Sequence, residues 1–466
     1  MSDLADLSAV DLVAAYRTGR VSPVEATKAA LARAAAWEPR VNAFCYRDDE
    51  AALAAAKESE ARWQRKAPLG LLDGVPTTVK DTIMMKGVPF RRGSRTTDPN
   101  QRPAEDAPIV ERIRKHGAVI LGKTNTPEMG WKGVTDSALF GITRNPWNVG
   151  LTPGGSSGGA AAGVAAGMSQ LALGTDGGGS IRIPASFSNV VGFKATGGRI
   201  PVYPVSPFGS LANHCPMART VADVALLLTA TRGPDARDWE SLADASSDFS
   251  QGLEGGVKGM RIAFSPALGY ANVDPDVAAI VAAAAERLSD LGADVDETDP
   301  GIPDPTPIFW THWCAGASFA IKNLTPDQQK LVEEGFVRTA ELGNELSLFD
   351  FQVAAVGRQS LAQFMSAYHQ TYDLLVLPTL AVPPFPVGQL SPAGSDPTNW
   401  LAWTPFTYVF NLTKQPAISV PCGFTKSGLP VGLQIVGPLH GDAKVLRAAH
   451  AYEQAHDWYR RRPVLA

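Results

Sequence analysis

Two glycine-rich segments that contain serines are the part of the sequence best suited to covalent chemistry. The first is GGSSGG at 154–159, in which Ser156 and Ser157 are adjacent, and the second is LGTDGGGSIR at 173–182. Glycines let a backbone adopt positive φ angles and turn several N–H groups towards one point, which suits a phosphate or an oxyanion. An oxyanion hole needs such N–H groups beside a nucleophile, and residues 177–180, GGGS, provide that arrangement.

A serine nucleophile also needs a base, because its hydroxyl is weakly nucleophilic while it is protonated. The only histidine in a motif-like setting is His214 in SLANHCPMART, and there is no GxSxG elbow, so a Ser-His-Asp triad stays open without support. Lysine is the alternative base, and it works only where burial removes its proton near neutral pH. Lys80 ends the apolar run VPTTV and is a candidate, with an ordinary surface lysine as the alternative interpretation.

One further motif points to a different class of protein. Residues 117–124, GAVILGKT, satisfy the P-loop pattern GxxxxGK[ST] of ATPases. That mechanism requires a phosphate-wrapping loop at the four variable positions and a helix that begins at the lysine. Here residues 118–121 are typical of a strand, and the following segment contains Pro127 and Gly130, which start no helix. We therefore expect Lys123 at the end of a strand, and a P-loop nucleotide-binding protein is the alternative of another class.

The elements around these motifs alternate between strands and helices, which is typical of an α/β fold with a largely parallel or mixed sheet. A run of small apolar residues at 158–169 predicts a helix that is buried on every side. A polar, acidic stretch at 233–256 predicts a surface connection, and a proline-rich run at 377–394 predicts a loop. Other predicted helices lie at 8–19, 23–37, 49–64, 275–292 and 326–344, and strands at 75–79, 118–121, 171–173, 259–265, 417–421 and 431–436.

Composition excludes several classes of protein. The chain has 466 residues, of which 45% are hydrophobic and 19% charged, with a net charge of −4, as in a globular protein that does not bind nucleic acid. Its four cysteines are far apart and lack metal-ligand spacing, so they predict reduced thiols and a cytoplasmic location. The acidic N-terminus is unlike a signal peptide. The sequence contains no window of 18 apolar residues, so no membrane span is predicted.

Taken together, the motifs resemble the amidase signature family. Their order and spacing agree with that family over nearly the whole chain. The matching segments are LDGVPTTVKD at 72–81, TPGGSSGG at 152–159, GTDGGGSIRIPAS at 174–186, CPMARTVAD at 215–223, NLTKQPAISVPCG at 411–423 and LPVGLQIVGP at 429–438.

The resemblance implies a single large α/β domain in which helices flank both faces of a central mixed, twisted β-sheet. Residues 1–70 would form an N-terminal helical segment that packs on the core. Residues 71–232 would contain the signature core with the catalytic residues. Residues 233–466 would complete the same domain with a helical insertion and the loops of the substrate cleft.

The resemblance also implies a Ser-cisSer-Lys triad. On this chain Ser180 matches the family's nucleophile, Ser156 matches the serine of a cis peptide bond, and Lys80 matches the lysine. The cis bond would join Gly155 to Ser156 and aim the Ser156 hydroxyl between the Ser180 Oγ and the Lys80 Nζ as a proton relay. Ser157 would be an N-cap residue of the helix that follows.

Other residues of these motifs would support the reaction. Asp176 and Arg182 would form an ion pair that holds the oxyanion loop. Family members often have Thr, Ile or Ser where this chain has Gly177, so we expect a more flexible loop here, and Cys215 stands where glycine is common. The expected oxyanion donors are Gly177, Gly178 and Gly179.

The activity implied is hydrolysis of the C–N bond of small amides through an acyl-enzyme on Ser180, with no cofactor and no metal. The candidates for the pocket are mostly aromatic and favour an apolar substrate, such as an aryl or alkyl amide, an anilide or a carbamate (urethane), although each could equally fill the core. These candidates are Met129, Trp131, Thr152, Phe309, Trp310 and Trp313.

A related alternative is the glutaminase subunit of a glutamine-dependent (tRNA) amidotransferase, which works in a complex and passes ammonia to a partner. Otherwise we expect a monomer or a homodimer whose partner is a small-molecule amide or carbamate, with no nucleic acid and no membrane.

Overall fold

The computed structural model describes residues 3–243, 246–396 and 399–464, and most of its strands belong to a single sheet. The strands are β1 (Phe44–Arg47), β2 (Pro76–Lys80), β3 (Val119–Thr124), β4 (Asp136–Ser137), β5 (Gly141–Ile142), β6 (Leu171–Asp176), β7 (Val191–Lys194), β8 (Asn213–Ala218), β9 (Arg261–Phe264), β10 (Asp294–Glu297), β11 (Leu374–Pro378), β12 (Ala417–Phe424) and β13 (Pro430–Val436).

Within the described residues the main sheet has 11 strands in the order β1-β3-β2-β6-β8-β7-β12-β13-β11-β9-β10, and β4 pairs with β5 in a separate hairpin. The sheet is mixed: β3, β2 and β6 are parallel neighbours, as are β11, β9 and β10, while the strands between these groups pair antiparallel. The predicted mixed α/β fold is confirmed, and all six predicted strands are present.

Helices pack against this sheet. The α-helices are α1 (Ala9–Thr18), α2 (Pro23–Val41), α3 (Asp49–Gln64), α4 (Pro108–Lys115), α5 (Gly158–Ala165), α6 (Arg182–Ser188), α7 (Val221–Thr231), α8 (Pro275–Asp290), α9 (Thr306–Lys322), α10 (Pro326–Gln329), α11 (Glu334–Glu345), α12 (Leu348–Tyr368), α13 (Val409–Leu412) and α14 (Asp442–Gln454). Short 3₁₀ helices lie at Leu4–Asp6, Glu128–Gly130, Gly209–Leu211, Leu253–Gly255, Trp400–Trp403 and Trp458–Arg460.

The N-terminal helices begin where capping residues indicate. The Ser8 Oγ accepts from the Asp11 N–H at 3.0 Å, and Ser22 forms a reciprocal capping box with Glu25. These contacts satisfy N–H groups that have no partner within the helix. The helices predicted at 8–19, 23–37 and 49–64 are therefore confirmed, and α2 continues to Val41.

The region of 306–368 differs most from the sequence prediction. Two long helices there, α9 and α12, were not predicted, because the apolar and aromatic residues of α9 occur without a clean helical period. The helix predicted at 326–344 is interrupted between α10 and α11. At this break Glu333 has an extended backbone, its N–H donates to the Glu128 Oε2 at 2.7 Å, and its own carboxylate accepts from the Lys132 Nζ at 3.0 Å.

Helix α5 is the buried small-residue helix that the run at 158–169 predicts, although it ends at Ala165. Every one of its residues is buried. A Cβ on Gly159 would lie 2.5 Å from the Ala43 carbonyl oxygen and from the Asn125 nitrogen, so a side chain at that position would push the helix off the sheet. The close packing holds the N-terminus of α5 against the residues that flank β1 and β3, and α5 also contacts β2.

One sheet includes strands from all three predicted parts of the chain. The part at 1–70 supplies β1 at one edge, so it adds a strand to the fold as well as helices. The boundaries at 70 and 232 stay predictions. In the predicted connection at 233–256, residues 244 and 245 lie outside the described residues, and the short helix Leu253–Gly255 is the regular element found in the rest.

Two predictions about the whole chain concern membranes and thiols. No helix in the described ranges is long and apolar enough to cross a bilayer. Cys45, Cys215, Cys314 and Cys422 are all free thiols.

Candidate active site

The candidate site lies where two parallel strands end. Strands β2 and β6 are neighbours, with Val79 opposite Leu173, so Lys80 and Thr175 reach the same edge of the sheet. The GGSSGG segment, which leads into α5, lies against this edge. Ligand crevices of α/β sheets occur at the carboxyl ends of strands, where side chains from several elements converge.

Lys80 is the centre of a buried hydrogen-bond cluster. Its side chain is fully buried, and its Nζ lies 2.8 Å from the Ser156 Oγ, 3.0 Å from the Ser157 Oγ and 2.7 Å from the Thr175 Oγ1. Burial lowers the pKa of Lys80 to about 7, with the nearby Asp176 carboxylate opposing the shift. A lysine in this state is neutral in a large fraction of molecules near neutral pH, which a base requires.

The directions of the hydrogen bonds around Lys80 follow from the number of donors and acceptors in the cluster. The Ser157 hydroxyl donates to the Thr175 carbonyl oxygen at 3.1 Å, so it accepts from Lys80 and has no proton left to offer the lysine. A neutral amine has two N–H donors and one lone pair. That lone pair therefore accepts from the hydroxyl of Ser156 or of Thr175. Sequence reasoning missed Thr175, although it lies within the GTDGGGS motif.

Ser156 connects this buried cluster to an open cavity. The Gly155–Ser156 peptide bond is cis, as the resemblance implies. Ser156 and Ser180 line the same cavity, which has a volume of about 200 Å³, whereas Lys80 lies behind the wall. The Ser180 carbonyl oxygen accepts from the Ser157 N–H at 3.1 Å, and this bond fixes the two serine segments against each other.

Ser157 departs from its predicted role. It occupies the N-cap position of α5, but its side chain makes no capping hydrogen bond. Its hydroxyl donates to the Thr175 carbonyl and accepts from the Lys80 Nζ and, at 3.3 Å, from the Thr175 N–H, so no lone pair is directed at the helix. The residue helps to position Lys80 instead.

The expected oxyanion loop offers a different set of donors from the one predicted. The Gly179 N–H donates to the Asp176 Oδ1 at 2.7 Å and is therefore already occupied. For the N–H groups of Gly177, Gly178 and Ser180, no partner occurs among the residues that the structure describes. These three N–H groups, not that of Gly179, are the ones available to an oxyanion.

Close packing explains why this loop consists of glycines. A Cβ on Gly178 would lie 2.6 Å from the Phe309 Cζ, and a Cβ on Gly179, whose φ is +127°, would lie 2.4 Å from the Thr407 Oγ1. At Gly177 a Cβ would lie 3.2 Å from the Trp313 ring. The Trp313 indole thus occupies space next to Gly177, so a side chain at this position would press against the ring, and the expected flexibility of the loop stays a prediction.

Asp176 and Arg182 form the predicted ion pair. Both side chains are fully buried, and the Arg182 Nε lies 2.9 Å from the Asp176 Oδ2. The guanidinium also donates to the side chains of Asn411 (2.7 Å) and Gln434 (2.8 Å) and to the Thr407 carbonyl. Although burial opposes the change, Arg182 lowers the pKa of the Asp176 carboxyl. Sequence reasoning missed Asn411, the first residue of the NLTKQPAISVPCG motif.

Replacing Asp176 with asparagine should lower the free energy of unfolding by roughly 3–5 kcal/mol, because the variant leaves the Arg182 guanidinium buried without a counter-charge. Equilibrium unfolding in urea measures this loss. A matched control is Asp327→Asn, which breaks an ion pair of 2.8 Å whose carboxylate is 92% exposed and should leave stability almost unchanged. Equal losses in the two variants would contradict a structural role for the buried pair.

Only some of the candidate pocket residues reach the cavity that contains Ser156 and Ser180. Met129 and Trp313 line it, and Phe309 lies behind Trp313 with the ring centroids 5.3 Å apart. The Trp131 Nε1 donates to Glu333, and the Thr152 Oγ1 accepts from the Gly154 N–H, so both are part of the supporting structure. Trp310 lines a separate cavity of about 590 Å³.

Residues from the loop at 202–208 complete the cavity wall, and no motif in the sequence pointed to them. Phe208 stacks on Trp313 with ring centroids 3.9 Å apart and an angle of 13° between the planes. His214 also lines the cavity. Burial lowers its pKa to about 4, while the Pro201 carbonyl 2.8 Å from its Nδ1 opposes the shift, so the imidazole is neutral. In the described part of the chain, no hydrogen bond joins a histidine to Ser156, Ser157 or Ser180.

The P-loop alternative is wrong. Residues 119–124 form strand β3, so the variable positions of the pattern do not make a loop. Lys123 is fully buried, and its Nζ forms an ion pair of 2.8 Å with the Asp81 Oδ1. A lysine held in this way is not available to a nucleotide phosphate.

Comparison with known proteins indicates the family to which the chain belongs. The Amidase family model matches residues 25–446. An acylamidase from Rhodococcus erythropolis is 38% identical over 465 residues, which cover 98% of this chain and 97% of that protein. A glutamyl-tRNA(Gln) amidotransferase subunit from Myxococcus xanthus is 37% identical over 488 residues, covering 98% of this chain and 99% of that protein.

The fold comparison leads to the same family. The crystal structure of a bacterial aryl acylamidase of the amidase signature enzymes superposes with a TM-score of 0.90 at 30% sequence identity, covering 97% of each chain. These matches span nearly the whole chain and confirm the resemblance of the motifs. The chain belongs to the amidase signature family and is an amidase, a hydrolase of carbon–nitrogen bonds.

Proposed function

We propose that this amidase cleaves small amides through an acyl-enzyme on Ser180, with Ser156 as the proton relay and Lys80 as the base. The observation that supports this assignment most is the buried Lys80, whose pKa is lowered to about 7 and whose Nζ lies 2.8 Å from the hydroxyl of Ser156. Ser156 in turn lines the same cavity as Ser180.

In the proposed first half-reaction, the Ser180 Oγ attacks the amide carbonyl carbon. Its proton passes to the Ser156 Oγ, while the Ser156 proton passes to the lone pair of neutral Lys80. The N–H groups of Gly177, Gly178 and Ser180 donate to the oxyanion that forms. The C–N bond then breaks, and the proton held by Lys80 returns through Ser156 to the leaving nitrogen.

Water completes the cycle. It attacks the ester carbon of the acyl-enzyme and gives up a proton to Lys80 through Ser156, and the Ser180 oxygen leaves as the carboxylic acid product forms. The proton on Lys80 then returns to the Ser180 oxygen, which restores the starting state. The same two residues therefore act as base and acid in both halves of the reaction.

The cavity supports small substrates with an apolar part. Its volume of about 200 Å³ is below the roughly 300–1,000 Å³ typical of sites for drug-sized ligands. Phe90, Met129, Phe208 and Trp313 provide apolar surface. Aryl and alkyl amides, anilides and carbamates fit this description, and the names of the acylamidase and aryl acylamidase relatives agree with it.

A second candidate is the glutaminase subunit of a tRNA-dependent amidotransferase, which the similarity to the Myxococcus xanthus protein favours. Free glutamine has an α-ammonium group, which a site recognises with an anionic partner. In the described part of the chain, no aspartate or glutamate lines the cavity. Release of ammonia from glutamine at a rate comparable with anilide hydrolysis would favour this second candidate.

A fluorophosphonate probe should label the protein covalently at Ser180. Peptide mass spectrometry after labelling should find the adduct on Ser180 and not on Ser156 or Ser157, because only the nucleophile forms a bond to the probe. A panel of p-nitroanilides, primary amides and aryl carbamates then measures the substrate range. An adduct on Ser156 would contradict the assignment of the relay and the nucleophile.

A further inference from the structure

The cavity wall contains a guanidinium group that the proposed mechanism does not use. Arg92 lines the cavity together with Ser156 and Ser180. Its Nε is buried without a hydrogen-bond partner, and no hydrogen bond or ion pair joins its side chain to any residue in the described ranges. The guanidinium lies over the Phe90 ring, 5.5 Å from its centroid. A partly buried arginine without a protein partner is a ready site for an acceptor on a ligand.

The backbone holds Arg92 in place. Arg92 has a left-handed φ of 52°, and its carbonyl oxygen accepts from the Met129 N–H at 2.7 Å, where Met129 has a φ of 50°. The next N–H, that of Gly93, donates to the Asp81 Oδ2 at 3.0 Å. Left-handed conformations of residues other than glycine are unfavourable and persist where the surroundings enforce them, often at ligand sites. The contact with Asp81, which directly follows β2, therefore helps to fix the position of Arg92.

Charge in the cavity is not balanced by the protein. Burial lowers the pKa of Arg92, with Asp81 opposing, but a guanidinium keeps its proton at neutral pH. The Asp81 carboxylate is engaged by Lys123 at 2.8 Å and by the Gly93 N–H. His214 is neutral, and the lining residues in the described part include no carboxylate. The cavity thus presents one positive charge towards its contents.

We propose that Arg92 binds a carboxylate of the substrate, so that the amides this enzyme prefers bear an acidic group beside the scissile bond. Two chemical sources would supply that group. It belongs to the acyl part in a monoamide of a dicarboxylic acid, and to the amine part in an acylated amino acid. The inference rests on the proposed function and specifies its substrate class.

Two matched pairs of substrates test this proposal and separate its two sources. The acyl-side pair is succinyl p-nitroanilide and isohexanoyl p-nitroanilide, in which an isopropyl group replaces the carboxylate. The amine-side pair is the N-acetyl derivative of p-aminobenzoate and that of p-toluidine. In at least one pair, kcat/KM of the wild type should be at least about tenfold higher for the acidic member, as expected for a charge-assisted bidentate contact.

The Arg92→Met variant should remove that preference, so that the ratio of kcat/KM for the acidic and neutral members falls towards one. A general structural defect would lower both members equally and leave the ratio unchanged. Arg92→Lys keeps the charge without the planar fork and should retain part of the ratio. Arg91→Met is the matched control, since the neighbouring Arg91 donates to the Thr97 Oγ1 at 2.9 Å and does not line the cavity, so it should keep the full ratio.

Other results would contradict either the role of Arg92 or the proposed substrate range. A wild type that prefers the neutral members, or an unchanged ratio in Arg92→Met, overturns the inference but leaves amide hydrolysis through Ser180 intact. Failure of the wild type to hydrolyse any of the four compounds overturns the proposed substrate range and this inference with it. If Arg92→Met does not fold, the kcat/KM ratios of the wild type and of Arg92→Lys still test the inference.

Discussion

Replacing Ser180 with alanine should abolish amide hydrolysis, with kcat falling by at least about ten-thousandfold, because the variant has no atom to form the acyl-enzyme. Steady-state kinetics on the best p-nitroanilide of the panel measures the loss. The substitution removes one oxygen from a residue that is 6% exposed and whose hydroxyl makes no hydrogen bond to another described residue, so the variant should fold normally.

Controls for this experiment come from other serines. Ser289→Ala changes an exposed serine of α8 and should retain full activity. Ser156→Ala should also lose most activity, but it keeps the nucleophile and should still be labelled slowly by the fluorophosphonate probe, whereas Ser180→Ala should not be labelled at all. Substantial turnover in Ser180→Ala would refute the acyl-enzyme mechanism.

Residues that belong to long motifs could be proposed as site residues from the sequence. The resemblance of those motifs implies Lys80, Ser156 and Ser180, and the structure brings their segments to one edge of the sheet, while their catalytic roles stay proposals. Capping signals located α1 and α2 because a cap depends on residues three positions apart. The capping predictions depend on local sequence, which is why the structure confirms them.

Features that depend on distant contacts could not be predicted in this way. The break before α11 follows from the contact between Glu333 and Glu128, which are far apart in the sequence. The unpartnered side chain of Arg92 becomes visible only when the cavity is assembled, and nothing in the letters FRRGSR separates it from Arg91. Pocket assignments from aromatic residues fail for the same reason, since Trp310 and Trp313 are on one helix but line different cavities.

The oxyanion loop shows how a correct motif can lead to a wrong detail. Three consecutive glycines suggested three equivalent donors, but Asp176 accepts from the Gly179 N–H. Because Asp176 is itself held by Arg182 and Asn411, this contact fixes the turn that leads into Ser180. Gly179 thus orients the loop, and the donors proposed for the oxyanion are Gly177, Gly178 and Ser180.

The rate of hydrolysis should depend on a single ionisation near pH 7. Burial lowers the pKa of Lys80 from 10.5 to about 7, so the neutral amine that accepts the relayed proton becomes populated as the pH rises through that value. We expect kcat/KM for a neutral anilide to rise about tenfold per pH unit below pH 7 and to level off above it. Lys80→Met should lose nearly all activity, because no other base contacts Ser156 in the described part of the chain.

A second buried lysine provides a matched control. Burial, reinforced by the nearby Arg182 charge, also lowers the pKa of Lys194 to about 7, but its Nζ donates to the backbone carbonyls of Ala195 and Gln415 and lies outside the serine cluster. Lys194→Met should therefore keep the wild-type dependence of kcat/KM on pH in whatever fraction folds. If the ionisation near pH 7 disappears from the profile of Lys194→Met, that ionisation belongs to Lys194 and not to Lys80.

Stability offers an independent measurement of the same pKa. Between pH 7 and 10.5 the folded protein holds Lys80 neutral while the unfolded chain still binds its proton, so the unfolded state binds more protons. The free energy of unfolding of the wild type, relative to that of Lys80→Met, should therefore increase as the pH rises through this window and be flat below pH 7. Urea unfolding of both proteins between about pH 6 and pH 9.5 measures the difference. A difference that does not change with pH would mean that Lys80 keeps its ordinary pKa in the folded protein, and a lysine in that state could not serve as the base.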